Sequence, residues 1–498
     1  MLTPGQHVNT DVSSRGSVRV RRFAHDWVSR RRLRLALLAV LALSMLVVLQ
    51  GAATAPRSGT AADVPEAPPS DGITVATESA RYGTIMAWHP NGSRLYYEDE
   101  HTKYFDVDPV AETAATVEYT ATDTIHTEGP DCRAPPCARN LVERTNLTTG
   151  ETTVIRSRYD DTETAAEWHD HVRVGESEIL IADMNADEVL LVNTTTGLTE
   201  WRWDAQNAFP VTGGGPYPGD WTHLNDVELL DDGRIMVSLR NQDQVVFLER
   251  ETGIQTNWTL GADDQHGILH EQHNPDYIPE ARGGPAVVVA DSENSRLVEY
   301  QRTNGSWEQS WTWADAGLQW PRDADRLPSG NTLVTDTHGD RVLEVAPNGS
   351  VVWSVPLAHP YDAERLGTGE GSSSGESARR ANLTSRSVGA DGGGGGQAGD
   401  SSAKSDRDAV VAVAKLLRQV VPSRWLNAVY YVAPVWVGVA EAVATVVGLA
   451  TLLSWFLLEL RWRLPPAGLR LPVYRTGPTD DGSDQPSESA GGERDHTD

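Results

Sequence analysis

The sequence predicts an all-β fold, a six-bladed β-propeller with a transmembrane helix near each end of the chain. Three observations predict it. A unit of four short strands joined by tight turns recurs about every fifty residues. A tryptophan recurs on the last strand of that unit. Two long apolar runs, each flanked by arginines, lie near the two ends.

From the N-terminus, residues 1–34 form a basic segment placed in the cytoplasm. The apolar run 35–53 follows Arg30, Arg31, Arg32 and Arg34. It is long enough to span a bilayer as a retained anchor. The alternative is a cleaved leader, because Ser29-Arg30-Arg31-Arg32-Leu33 matches a twin-arginine export pattern and Ala53-Thr54-Ala55 suits a signal peptidase. Residues 54–74 read as a linker and 75–360 as the propeller.

Four blades are clear. One runs from His223 through HLNDVELL, RIMVSL, QVVFLE and IQTNWTL, with DDG, RNQD and RETG as turns. The same grammar returns from His169, His273 and Arg322, and Trp203, Trp258, Trp313 and Trp353 close the four units. An indole there packs between blades. Residues 82–120 and 123–160 read as two weaker units. A β-sandwich is the alternative fold, and it leaves the regular tryptophan-ended units unexplained.

Residues 361–424 read as a Gly/Ser/Asp-rich tether and an amphipathic stretch; 366–408 is its low-complexity part. The second membrane helix is expected over 425–460. Trp425, Tyr430, Tyr431 and Trp436 stand at its start, Glu441 lies inside it, and Arg461, Arg463, Arg470 and Arg475 follow it. The remainder, 461–498, reads as a disordered acidic cytoplasmic tail. Both basic flanks point inward, which places the propeller outside. Asn-X-Ser/Thr sequons at Asn91, Asn146, Asn193, Asn257, Asn304, Asn348 and Asn382 all fall between the two runs, as glycosylation candidates. The Asn-Gly-Ser sites among them are equally good hairpin turns.

The 498 residues include 70 acidic and 42 basic side chains, a formal net charge of -28. Such a surface repels nucleic acid and is self-repulsive unless salt screens it, as in a salt-adapted protein. An acidic disordered chain is the alternative, against which stand 16 tryptophans and regular strands. Cys132 and Cys137 in CRAPPC are too few for a zinc site and suit a local disulfide; a pair of free thiols is the alternative.

The blade starts carry the chemistry. They read Trp168-His169-Asp170-His171, His223-Leu224-Asn225-Asp226, Gln272-His273-Asn274-Pro275-Asp276 and Trp320-Pro321-Arg322-Asp323. His169, His223, His273 and Arg322 are taken to occupy matching positions and to converge at one mouth of the channel. Three imidazoles and a guanidinium suit an anion, bound or in transfer. The alternative is that each histidine only hydrogen-bonds its blade together.

Asp220-Trp221-Thr222-His223-Leu224-Asn225, then Val237-Ser238-Leu239-Arg240-Asn241-Gln242, resemble the DW-x-H-x-N and S-x-R-x-Q elements of the arylsulfate sulfotransferase family. Gln272-His273 and His169-Asp170 also match that family. The resemblance covers residues 165–357 well and 75–164 faintly and says nothing of the membrane runs; together with those runs and the acidic surface, the chain is read as a haloarchaeal-type, membrane-anchored member. The resemblance implies transfer of a sulfuryl group from an aryl sulfate to a phenol, with no nucleotide donor, no cofactor and no metal. His273 would be the nucleophile, and His169, His223 and Arg240 would bind the sulfuryl oxygens. Asn225 and Arg322 are substrate-binding candidates. No tyrosine stands in an obvious substrate-stacking position. His266, His270 and His273 include an HxxH spacing in an open loop that does not favour a metal site.

Two other readings stay open. Leu224-Asn225-Asp226-Val227 resembles the Asn-Asp start that calcium-dependent lactonase propellers use for a central Ca²⁺, although an arginine beside the cation would be unfavourable. A non-catalytic binding propeller is the third.

Overall fold

The computed structural model describes residues 15–54, 64–387 and 437–463, except 80, 81, 164, 316 and 438. Trp425, Tyr430, Tyr431, Trp436, the tail after 463 and positions 388–424 lie outside the described residues.

Two helices, Arg15–Thr54 and Val439–Arg463, make up most of one unit. Arg30–Ala53 and Glu441–Arg463 are each long and apolar enough to cross a membrane. The Arg34 guanidinium grips the Glu459 carboxylate through two hydrogen bonds, 2.5 and 2.8 Å. Arg30 and Arg34 lie 5.3 and 5.2 Å from the Trp462 ring. The arginine-rich start of one helix thus sits beside the arginine-rich end of the other, so the helices run antiparallel.

The other unit is a six-bladed propeller of six separate sheets, five with four strands and one with five. The second to sixth blades are contiguous in sequence. Their inner strands are Lys103–Pro109, Trp168–Arg173, Leu224–Leu229, His273–Ile278 and Pro321–Arg326. The four clear units match four of these blades. The fourth strand of the His223 unit is broken into Gly253–Ile254 and Leu260–Gly261, so Trp258 stands between strands.

The weak units divide differently from the sequence reading. Residues 103–160 form one complete blade, and the first blade takes Thr74–Glu78, Thr84–Trp88 and Arg94–Glu98. Its inner strand is Pro360–Arg365, paired antiparallel with Thr74–Glu78. The ring therefore closes by a strand from the far end of the domain, which leaves no free sheet edge at the closure.

Alternation along each strand buries one apolar row against the blade before and another against the blade after. The result is six apolar clusters, one at each interface between neighbouring blades. Outer-strand indoles reach across these interfaces: Trp201 donates to Arg250 O, Trp313 to Gly349 O and Trp353 to Pro68 O.

Part of the stretch read as a tether is built into the propeller. Residues 366–387 pack on the propeller, because its acceptors take their backbone donors. Gly371 N–H donates to Glu364 (2.7 Å), Ala378 N–H to Glu299 (2.8 Å) and Arg386 N–H to Thr312 O (2.9 Å). Glu299 also pairs with Arg326 at 3.2 Å, both side chains fully buried. Removing one partner strands the other charge. Glu299→Ala should lower stability by about 3–5 kcal/mol in thermal or denaturant unfolding, and Glu299→Leu with Arg326→Met should recover most of it.

Cys132 and Cys137 are joined as a disulfide. The seven sequon asparagines lie on turns or strand ends and none is buried. Asn91, Asn146, Asn193 and Asn348 each use Oδ1 to accept N–H groups of their own turn.

Candidate active site

Every inner strand carries a β-bulge near its start. In the second strand of each blade fewer residues stand opposite, so the register skips His169, Asn225 and Arg322, and the pairs Phe105-Asp106, Asn274-Pro275 and Tyr361-Asp362. A bulge frees a residue from the ladder and re-aims it. Repeated around the ring, it turns one rank of side chains toward the axis. Just upstream, His223, Trp320 and His359 hold positive φ values of 48°, 51° and 45°. These left-handed turns bend the chain into the mouth at a cost in backbone strain.

The matching rank read from sequence needs correction. Counted back from the aspartate after each bulge, His223 and His273 stand three positions upstream, whereas His169 and Arg322 stand one upstream. His169 and Arg322 are themselves bulge residues, whereas His223 and His273 precede their bulges, and the four still converge. Ring centroids are 5.0 Å apart for His169–His223 and 6.3 Å for His223–His273. Tyr361 stands in their midst, 5.6 Å from His169 and 6.4 Å from His273. The Arg322 guanidinium lies 4.9 Å from the Tyr361 ring and 4.6 Å from Trp320, and donates to Ser79 Oγ at 2.8 Å. An arc of rings continues from His273 to Trp320 (5.7 Å), His338 (4.4 Å) and His359 (5.3 Å). Tyr361, His338 and His359 were missed in the sequence, where no tyrosine stood out as a substrate-stacking candidate. The x-Asp pair at each blade start, extended to His359-Pro360-Tyr361-Asp362, is the signal that finds Tyr361 and His359.

The hydrogen bonds around His273 fix its tautomer. Ser292 Oγ has one proton and donates it to Pro321 O (2.7 Å). It therefore accepts from His273 Nδ1–H, at 2.8 Å. The lone pair is left on Nε2, which is buried and has no hydrogen-bond partner among the described residues. Burial, then the charges of Arg322 and Arg240, hold the His273 imidazole well below its ordinary value, so it is neutral at pH 7. His169 is held low by burial and by His223 and Arg322. His223 donates Nδ1–H to Asp220 Oδ1 at 2.6 Å. Burial, the largest effect, opposes ionisation of Asp220, but the bond and charge of His223, the charge of Arg240 and a bond from Asn241 together outweigh it and hold Asp220 at about 2.

Much of the motif around these residues is scaffold. Trp221 is buried and donates to Gly213 O (2.8 Å), Thr222 bonds Asp187, and Asn225 Nδ2 donates to Gln272 O (2.9 Å) beside His273. Gln272 in turn donates to Ser238 Oγ (3.2 Å) and Gln244 O (2.9 Å). Asn225 therefore positions the strand that carries His273. Arg240 is engaged by Glu271 and by Asn241 Oδ1 (2.7 Å). In the HxxH stretch, His266 and His270 stack at 3.8 Å, and His266 is half exposed beside Asp243.

The arrangement offers a neutral, oriented imidazole nitrogen, a second imidazole backed by a carboxylate, and two guanidiniums. Together they can bind a tetrahedral anion and attack its centre.

The profile of the arylsulfotransferase (ASST) family matches residues 150–274, a stretch that holds His169, His223, Arg240 and His273. No curated protein matches this chain. Among solved structures, a periplasmic gluconolactonase from Pseudomonas aeruginosa is 13% identical, with a TM-score of 0.38 over 60% of this chain and 99% of its own. A catalytically inactive virginiamycin B lyase from Staphylococcus aureus, solved with quinupristin, is 8% identical, with a TM-score of 0.35 over 62% and 91%.

Proposed function

We propose that this chain is a membrane-anchored arylsulfotransferase that moves a sulfuryl group from an aryl sulfate to a phenol through a sulfohistidine at His273. The observation that carries the proposal is the neutral His273 with its lone pair held on Nε2 by Ser292. The family match over the histidine-bearing blades supports it.

In the first half-reaction Nε2 attacks the donor's sulfur as the sulfur–aryl oxygen bond breaks. The aryl oxygen departs as the phenolate, its charge met by the neighbouring guanidiniums. In the second, neutral His223, its Nδ1–H held on Asp220, takes the acceptor phenol's proton on Nε2 as the phenol oxygen attacks sulfur; the nitrogen–sulfur bond breaks to restore neutral His273, and the proton then leaves His223 for the released phenolate or solvent. His169, Arg240 and Arg322 stabilise the charge on the equatorial oxygens. No nucleotide or other cofactor enters the scheme. The propeller lies outside the cell, with both helices in the membrane and their arginine flanks inward.

Purified full chain, given a nitrophenyl sulfate and a phenol, should show ping-pong kinetics, and the His273 peptide should carry a sulfuryl group after quenching. Because burial and arginine charge hold His273 well below 6.5, the acid limb of kcat/KM should also lie below that value. Absence of both transfer and adduct with several aryl sulfates in high salt would overturn the proposal and favour a binding propeller.

A further inference from the structure

Directly along the inner strands from the histidine site, the channel changes character. Each inner strand carries an aspartate at or just after its bulge: Asp106, Asp170, Asp226, Asp276, Asp323 and Asp362. Two residues further along, Asp108, Glu228, Asp325 and Glu364 add a second acidic rank. At about 3.3 Å per residue, Asp325 lies some 10 Å along its strand from Arg322.

Some of these carboxylates have structural partners in the next blade. Asp170 accepts Val227 N–H, Asp362 accepts Val107 N–H (2.7 Å) and Glu228 accepts Tyr277 N–H (2.9 Å). Others do not. Oδ2 of Asp323, Oδ2 of Asp325 and Oε2 of Glu364 are buried without a hydrogen-bond partner among the described residues, in side chains 2, 2 and 4% exposed. Asp276, Asp323 and Asp325 bring one carboxylate oxygen each within 4.8 Å of one another. They and Glu364 line a cavity of about 40 Å³, room for an ion or a water.

The segment 370–372 closes this end. The Ser372 hydroxyl donates to Asp276 Oδ2 at 2.9 Å. Gly371 holds φ +48°, and a Cβ there would meet Asp276 Oδ1 at 2.4 Å. Arg326, the nearby buried cation, is already paired with Glu299. Unpartnered buried carboxylates this close must either share protons or hold a cation.

We infer that this end of the channel binds one calcium ion on Asp276, Asp323 and Asp325, with Glu364 beside it. Oxygen-only donors of high charge, drawn from different blades, suit a hard cation that tolerates irregular coordination, which favours Ca²⁺ over Mg²⁺. The ion would neutralise the repulsion where inner strands converge and tie blades together. This site is separate from the histidines and does not depend on sulfuryl transfer.

The test uses full chain in detergent and molar KCl, stripped with a chelator and titrated with CaCl₂ by calorimetry. One ion should bind per chain, and the melting temperature should rise by about 5 °C at a hundredfold excess over Kd. Asp323→Asn with Asp325→Asn should raise the melting temperature of the stripped protein by relieving repulsion, weaken Kd at least ~100-fold and abolish the thermal response. If the pair does not fold, Asp325→Asn alone gives the same comparison. A stripped protein that melts identically with and without CaCl₂ would mean the carboxylates share protons, and would overturn the inference. So would a calcium response unchanged in the variants, or one that extra KCl reproduces.

Discussion

His273→Ala should reduce sulfuryl transfer by at least ~10⁴-fold and remove the covalent adduct, because the proposed mechanism has no second route once the nucleophile is gone. The fold should survive, since the His273 side chain makes one hydrogen bond, to Ser292. Single-turnover assays with a chromogenic aryl sulfate measure the loss, and melting curves check the fold. His273→Gly with added imidazole should regain part of the transfer, a rescue that a purely structural histidine would not show. Ser292→Ala keeps the nucleophile but frees its tautomer. A fall of ~10–100-fold in kcat with little change in KM is expected there. Undiminished transfer by His273→Ala would sink the sulfohistidine mechanism.

Arg322→Ala is the second large effect, at ~100–1000-fold in kcat. From sequence alone Arg322 ranks below Arg240, which the family motif singles out. In the proposed mechanism we expect the opposite order. Arg240 is engaged by Glu271 and Asn241, whereas Arg322 is buried within the ring of aromatic side chains and is the leading charge acting on His273. Burial first, and then its positive charge, hold the imidazole neutral, so removing Arg322 lets the His273 pKa move part of the way back up toward 6.5. The acid limb of kcat/KM should then move upward in pH. A residue that mattered only for packing would lower the rate equally at every pH, and a pH profile of the variant separates the two. Arg240→Ala should cost ~10–100-fold, with a smaller shift of the same sign.

The bulges explain why the site was only partly legible. His169, His223 and His273 were found because blade starts repeat at near-constant spacing. Their ranks were misjudged because a bulge changes how many residues lie between strand start and axis, and nothing in the residue string counts them. Tyr361 and His359 escaped because their strand sits in a blade whose other strands lie at the beginning of the domain. Pairing Pro360–Arg365 with Thr74–Glu78 is a long-range event without a local turn to announce it. The acidic rank was in plain view as His169-Asp170, Asn225-Asp226, Pro275-Asp276 and Arg322-Asp323. Only the closed ring reveals that those carboxylates share one channel with the corresponding residues of the other two blades.

What the sequence by itself determined is local. Hairpin turns, strand alternation and tryptophan spacing specified four blades. Length, apolarity and arginine flanks specified the two terminal helices, and the cysteine spacing allowed the disulfide. Each of these depends on residues a few positions apart. What only the tertiary structure decided depends on closure. It chose the strand that completes the first blade, and it drew residues 366–387 onto the propeller through the acceptors at Glu299 and Glu364. It set the tautomer of His273 through a serine nineteen positions away. It also gathered the histidines around the axis and, next along the same strands, a ring of buried carboxylates. The physical reason is that a propeller brings inner strands far apart in sequence around one axis, so side chains with no sequence neighbourhood share one electrostatic environment.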